Sequence, residues 1–153
     1  MAKTTYLAVI GGGEVNPPLE ALAREVGREA ARRGAVVICG GLGGVMAAAA
    51  QGAKDAGGVS LGILPDGDRR RANPFLTFSL ATNMGHARNL IIVHSADALI
   101  AVDGGYGTVS EAAMALKLGK PVIALEAAWD LPRLQRAASP QEAVELALNE
   151  VGK

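Results

Sequence analysis

A three-layer α/β sandwich with a mostly parallel sheet is the fold this sequence predicts, and three observations predict it. Apolar runs of strand length alternate with segments of helical period, the strand runs are apolar nearly throughout, and glycines fall where strand gives way to helix. Continuously apolar strands are covered on both faces, and strand–helix alternation joins parallel neighbours, so helices are expected on both sides of the sheet. With 153 residues the chain is long enough for one domain with a real core and too short for two of ordinary size. One domain over residues 1–153 is expected.

Each element has its own justification. Tyr6 to Ile10 reads as the first strand. A helix follows from about Pro17 to Arg33, with Asn16 as N-cap and proline at its first position. Leu19, Leu22, Ala23, Val26 and Ala30 recur at helical spacing as its buried stripe, and Gly34 ends it. Ala35 to Cys39 is the second strand; it enters GGLGGVM and an alanine-rich helix to about Ala56. Val59 to Leu64 is the third, stopped by Pro65. DGDRRRANP reads as an exposed loop, Phe75 to Leu80 as a short strand, and NMGHARNLIIVHSA carries a helix. Ala98 to Val102 and Val122 to Leu125 are strands on either side of a helix from about Val109 to Leu118. In SPQEAVELALNEV, Ser139 and Glu142 have capping-box spacing with proline between them at the helix start. The pattern is Rossmann-like, and in such folds ligands bind beyond the carboxyl ends of the strands.

Composition narrows the function. Fifteen basic and fifteen acidic residues balance, so no global field draws the chain to nucleic acid or an anionic membrane. Aromatics are 3% of the residues, too few for a surface that stacks bases. Cys39 is the single cysteine and is expected to be a small core residue in a reducing compartment. The amino-terminal apolar run is too short for a signal peptide and no stretch reaches membrane-span length, so a cytoplasmic protein is expected.

Three glycine-rich turns follow strands: Gly11, Gly12 and Gly13; Gly40, Gly41, Gly43 and Gly44; and Gly104, Gly105 and Gly107. In a parallel sheet all three lie on one edge. One such turn is ordinary punctuation. Three together suggest a cradle, because glycine lets backbone N–H groups approach an anion and the following helix offers the positive end of its dipole. No GxxxxGK[ST] is present, and Met46 stands where the third glycine of a dinucleotide fingerprint belongs. An NAD(P)-binding protein, with Asp66 as the ribose acid, stays as an alternative. Thr108 and Glu111 have capping-box spacing, and a capping role and a catalytic role for Glu111 are both open. Arg88 precedes the apolar run LIIV, where a guanidinium needs a carboxylate or phosphate partner.

GGLGGVM, MGHARN and GGYGTVSE, in that order and with ILP between the first two, resemble the lysine-decarboxylase-like superfamily. That superfamily includes the LONELY GUY cytokinin-activating phosphoribohydrolases and the molybdenum cofactor carrier proteins. The resemblance covers roughly residues 5–126 and, through Arg88–Asn89 and the compact length, is closer to the carrier branch. It implies a phosphate held by Gly104, Gly105, Gly107 and Thr108, with Gly11, Gly12, Gly13, Gly41, Gly43, Gly44, Met46, Gly85, Asn89 and Tyr106 as further binding residues. It also implies Arg88 and Glu111 as the catalytic pair if the protein is an enzyme, with the arginine keeping the acid ionised. Asp103 replaces the proline of the hydrolases' PGGxGT, Asn89 the lysine of their ERK-type triplet, and Ala47 a glycine.

The expected function is therefore binding or carriage of a phosphorylated, nucleotide-like molecule, with molybdenum cofactor as cargo and no other cofactor. The alternative is hydrolysis of the N-glycosidic bond of nucleoside 5′-monophosphates. A DNA-processing scaffold is disfavoured by the charge balance. Arg69 to Arg71 read as a solvated loop or as a lid over a phosphate. His86 and His94 lack a third ligand at metal spacing, so no metal site is expected. Trp129 and Pro132 are expected to pack the last crossover. VMAAAAQGA and EAAMALKLG are apolar around more than one face, which suggests burial in a homodimer or homotetramer.

Overall fold

A computed structural model describes residues 3–151; residues 1, 2, 152 and 153 of the expected domain lie outside it. The chain order is β1 (Tyr6–Gly11), α1 (Pro17–Arg32), β2 (Val36–Cys39), α2 (Val45–Asp55), β3 (Ser60–Leu64), β4 (Phe78–Ala81), α3 (Arg88–Ser95), β5 (Ala98–Val102), α4 (Tyr106–Lys117), β6 (Val122–Leu125), β7 (Gln135–Arg136) and α5 (Pro140–Val151). The strands form one sheet in the order β4-β3-β2-β1-β5-β6-β7, and every pairing is parallel.

Alternate residues of each central strand enter opposite cores. Leu7, Val9, Val37, Ile100 and Val102 meet α1, α2 and α5 on one face; Ala8, Ile10, Ile38, Leu99 and Ala101 meet α3 and α4 on the other. Both sets are apolar, which is why the strands read as unbroken runs. Cys39 is buried in the core, where burial pushes its thiol up to about 11.

Local signals act as expected at several termini. Asn16 Oδ1 accepts from Leu19 N at 3.0 Å, and Ser139 Oγ accepts from Glu142 N at 3.1 Å. Trp129 packs against the core on the α3–α4 side, whereas Pro132 is exposed on the surface of the same connection.

Besides one-residue shifts at several ends, two element starts and two added short elements differ from the sequence reading. The fourth strand starts at Phe78 rather than Phe75, because Asn73 turns the chain by accepting from Phe75 N and pairing begins at Leu61↔Phe78. A short 3₁₀ turn, Gly85–Ala87, precedes α3. β7 is an extra two-residue strand too short to leave a pattern in sequence. The fourth helix starts at Tyr106, three residues before the expected Val109.

The small residues of α2 are used inside the molecule. A Cβ on Gly27 of α1 would collide with the backbone of Ala49, and one on Gly52 with the backbone of Arg24, so the two helices cross in close backbone contact. The apolar breadth of α2 therefore serves contacts with α1 and the sheet. No helix among the described residues is long and apolar enough to cross a membrane.

The strand order reverses between β1 and β5. Their carboxyl ends open a crevice, and the loops around it carry the glycine turns.

Candidate functional site

A cavity of about 230 Å³ lies at that crevice. Gly11, Gly12 and Gly13 after β1 form one wall, and Gly105, Gly107 and Thr108 at the start of α4 form another. Gly40, Met46, Arg88, Asn89, Ile92 and Glu111 complete it with the ends of Val9 and Ile10.

The turn at 103–108 is shaped by its backbone. Asp103 has φ 50° and Gly104 φ 103°, so the positive-φ positions precede Gly105 and Gly107. Gly105 is extended and serves as N-cap without a side-chain bond, and Val109 N donates to Gly105 O at 3.0 Å. Thr108 is thus already helical and only 4% exposed. It packs beneath Gly104, where any added Cβ would strike its side chain. The expected Thr108–Glu111 capping box does not form, because both residues lie inside the helix. Gly105, Gly107 and Thr108 of this turn line the cavity, and the N–H groups of a helix's first turn have no acceptor within the helix.

Arg88 forms the floor. It is 8% exposed; its Nε donates to Ile63 O at 2.8 Å, one terminal nitrogen to Gly40 O at 3.4 Å and the other to Asn89 Oδ1. A guanidinium has five N–H donors, and these three bonds leave two without a protein acceptor. Its first partners are backbone carbonyls rather than the carboxylate or phosphate the sequence suggested. Burial lowers its pKa, and the nearby Glu111 opposes that shift.

Glu111 stands one turn further along α4, partly buried in the cavity wall. Burial pushes its carboxyl up to about 7, and the charge of Arg88 offsets this only in part. No ion pair within 4 Å joins the two side chains among the described residues. The expectation that Arg88 keeps Glu111 firmly ionised is therefore corrected: desolvation outweighs the arginine.

The middle glycine turn differs from the reading that made it a cradle. Gly44, with φ 63°, abuts the carbonyl of Gly12; Gly41 faces Leu64; Gly43 sits above Gly13 O. Val45 N donates to Gly12 O at 3.0 Å, which closes the start of α2. Gly41 and Gly44 are packing glycines, Gly43 is exposed with only ordinary contact to Gly13 O, and this segment gives the cavity Gly40 and Met46. Gly85 is exposed in the turn before Arg88, outside the walls.

Tyr106 is 97% exposed and lines a neighbouring groove with His86, Leu90, Val93 and Met114. That groove shares Asn89, Gly107 and Glu111 with the cavity. Asp103 lines a different groove with Asn16 and Glu126, so its carboxylate does not face the proposed phosphate position. Asp66 lies in the loop after β3, outside the cavity wall, and His94 is exposed at the end of α3. Of the second glycine turn the cavity takes Gly40, and sequence reasoning missed the apolar wall residues Val9, Ile10 and Ile92, which read only as core positions.

Fold and site together define a Rossmann-like α/β protein with a glycine-walled, arginine-floored cavity at the switch point of a parallel sheet. The chain belongs to the SLOG cluster4 family, whose model matches residues 4–150. An uncharacterised protein of Archaeoglobus fulgidus is 47% identical over 147 residues, 96% of this chain and 97% of the relative. Among solved structures, the molybdenum cofactor binding protein from Rippkaea orientalis superposes with a TM-score of 0.92 at 35% identity, covering 99% of both chains. The molybdenum cofactor carrier protein from Chlamydomonas reinhardtii superposes with a TM-score of 0.88 at 30% identity, covering 99% of this chain and 100% of that one.

Proposed function

We propose that the protein binds and carries a phosphorylated pterin-type cofactor, molybdenum cofactor, with the phosphate in the glycine-walled cavity. The observation that carries this reading is Arg88, a buried guanidinium that lines the same cavity as the opening turn of α4 and has two N–H donors not bonded to protein. Gly105 and Gly107 have nothing within 4 Å of where a Cβ would stand, so the wall there is bare backbone with space in front of it. Backbone N–H groups at a helix start recognise a phosphate without reading what is attached to it. The two solved relatives described as molybdenum cofactor binding and carrier proteins support the choice of cargo.

A thermal-shift series with inorganic phosphate, molybdate, adenosine 5′-monophosphate and purified molybdenum cofactor tests the reading. A ligand at about 100 times its Kd adds roughly 2.7 kcal/mol to stability. The cofactor is expected to give the largest shift, and no shift with any of the four sinks the proposal.

Hydrolysis of a nucleoside 5′-monophosphate is the second reading, favoured by one observation: a partly buried carboxyl whose pKa is raised to about 7 in the wall of the anion cavity. Asn89, in place of the lysine of the hydrolases, argues against it by removing a cation. The expected outcome is little or no ribose 5-phosphate from adenosine monophosphate. Robust release that disappears in Glu111→Gln reverses the order of the two readings.

A further inference from the structure

The loop between β3 and β4 carries three consecutive arginines in a 3₁₀ turn, Arg69–Arg71. Asp68 occupies one of them: its Oδ1 accepts from Arg70 N at 2.9 Å and from Arg70 Nε at 3.1 Å, and the terminal nitrogen of Arg70 lies 3.0 Å from Oδ2. Arg69 and Arg71 are exposed, and neither has a carboxylate within 4 Å among the described residues. In a chain whose charges balance overall, two exposed guanidiniums two positions apart, without a close ion pair and with only a longer-range attraction between Arg71 and Asp68, leave the turn locally positive.

The loop is also fastened to both elements that build the cavity. At its far end Asn73 N donates to Gly41 O and Asn73 Nδ2 to Leu42 O, each at 2.9 Å, joining it to the turn that supplies Gly40 and Met46. At its near end Asn83 N donates to Asp66 O and Gly85 N to Pro65 O, each at 3.1 Å, joining it to the segment that leads into Arg88. A solvated charge run needs no such anchoring. A basic turn held at both ends, on the strand-end edge that carries the cavity, presents its cations without first having to order a loop.

We propose that Arg69 and Arg71 are a second anion subsite, which binds a further oxyanion of the ligand whose first phosphate occupies the glycine-walled cavity. The ligand class is thus a phosphorylated molecule that carries a second anionic group besides that phosphate. This rests on the phosphate reading of the cavity. Guanidiniums suit the role because they bind oxyanions through paired N–H donors.

Calorimetric affinities for inorganic phosphate and tripolyphosphate, in the wild type and in Arg69→Gln/Arg71→Gln, test the subsite. Tripolyphosphate affinity is expected to fall about tenfold further than phosphate affinity, with a shallower salt dependence. Arg70→Gln is the control, since Asp68 already holds that guanidinium, and a smaller loss is expected there. Equal losses for the two probes, or an Arg70→Gln loss as large as that of the double variant, mean a general surface field and overturn the subsite while leaving the cavity reading intact. If the wild type binds neither probe, the subsite is overturned, while the cavity reading is decided by the cofactor in the thermal-shift series. All the substituted positions are exposed, so unchanged thermal midpoints without ligand are expected and confirm that the variants are folded.

Discussion

The glycine turns at 40–44 and 104–107 look alike in sequence and do different work. In the first, Gly41 and Gly44 have positive φ and their missing side chains are replaced by neighbours: Leu64 against one, the backbone of Gly12 and Gly13 against the other. The start of α2 is closed by the Gly12 carbonyl. In the second, the positive-φ positions Asp103 and Gly104 bend the chain, after which Gly105 and Gly107 face empty space at the start of α4. One turn uses glycine to let backbone approach backbone. The other leaves bare backbone beside an open cavity.

Substituting Gly44 should give the largest effect. An alanine there must adopt φ near 63° and push its Cβ into the Gly12 carbonyl. Overpacking and backbone strain together are expected to cost about 3 kcal/mol. The midpoint of urea unfolding measures it; a loss below about 1 kcal/mol would show that the two glycine walls are not locked together.

Glu111→Gln should come next, with an effect that depends on pH. The folded-state pKa of Glu111 is raised from 4.5 to about 7, so its contribution is full below about pH 4.5 and is lost as pH rises through 7. Glutamine stays neutral throughout. At pH 8.5 the variant is expected to be more stable than the wild type by about 2 kcal/mol, a figure reduced for partial exposure, and at pH 4 the two should match. Parallel stability curves across that range would remove Glu111 from the desolvated wall.

Gly107→Ala should have the smallest effect on stability and the most telling sign. Gly107 is helical and a Cβ there meets nothing, so alanine should stabilise α4 by roughly 0.5–1 kcal/mol. The same methyl stands in the cavity wall, so phosphate affinity should fall. Higher stability with undiminished phosphate binding would make the second turn a packing turn like the first.

Much of this molecule was legible in the chain. The five longer core strands, the Asn16 cap, the Ser139 cap and the parallel three-layer order follow from burial and capping rules that act within a few residues of the sequence. Arg88 and Glu111 were also legible as cavity residues, through their motifs and the family resemblance. Tertiary structure decided the rest, because the remaining questions concern what stands opposite a residue. GGLGG and GGYG offer the same backbone freedom, and only the arrival of Gly12, Gly13 and Leu64 fills the space beside one of them. Thr108 and Glu111 have capping spacing, but Gly104 settling onto Thr108 draws the helix start back to Tyr106 and turns the cap residue into packing. The charge of Glu111 depends on how much water its neighbours leave around it, so its raised pKa was decided by the assembled walls. Local periodicity specified which elements form, and the strand order that brings β1 beside β5 specified which of their glycines line the cavity.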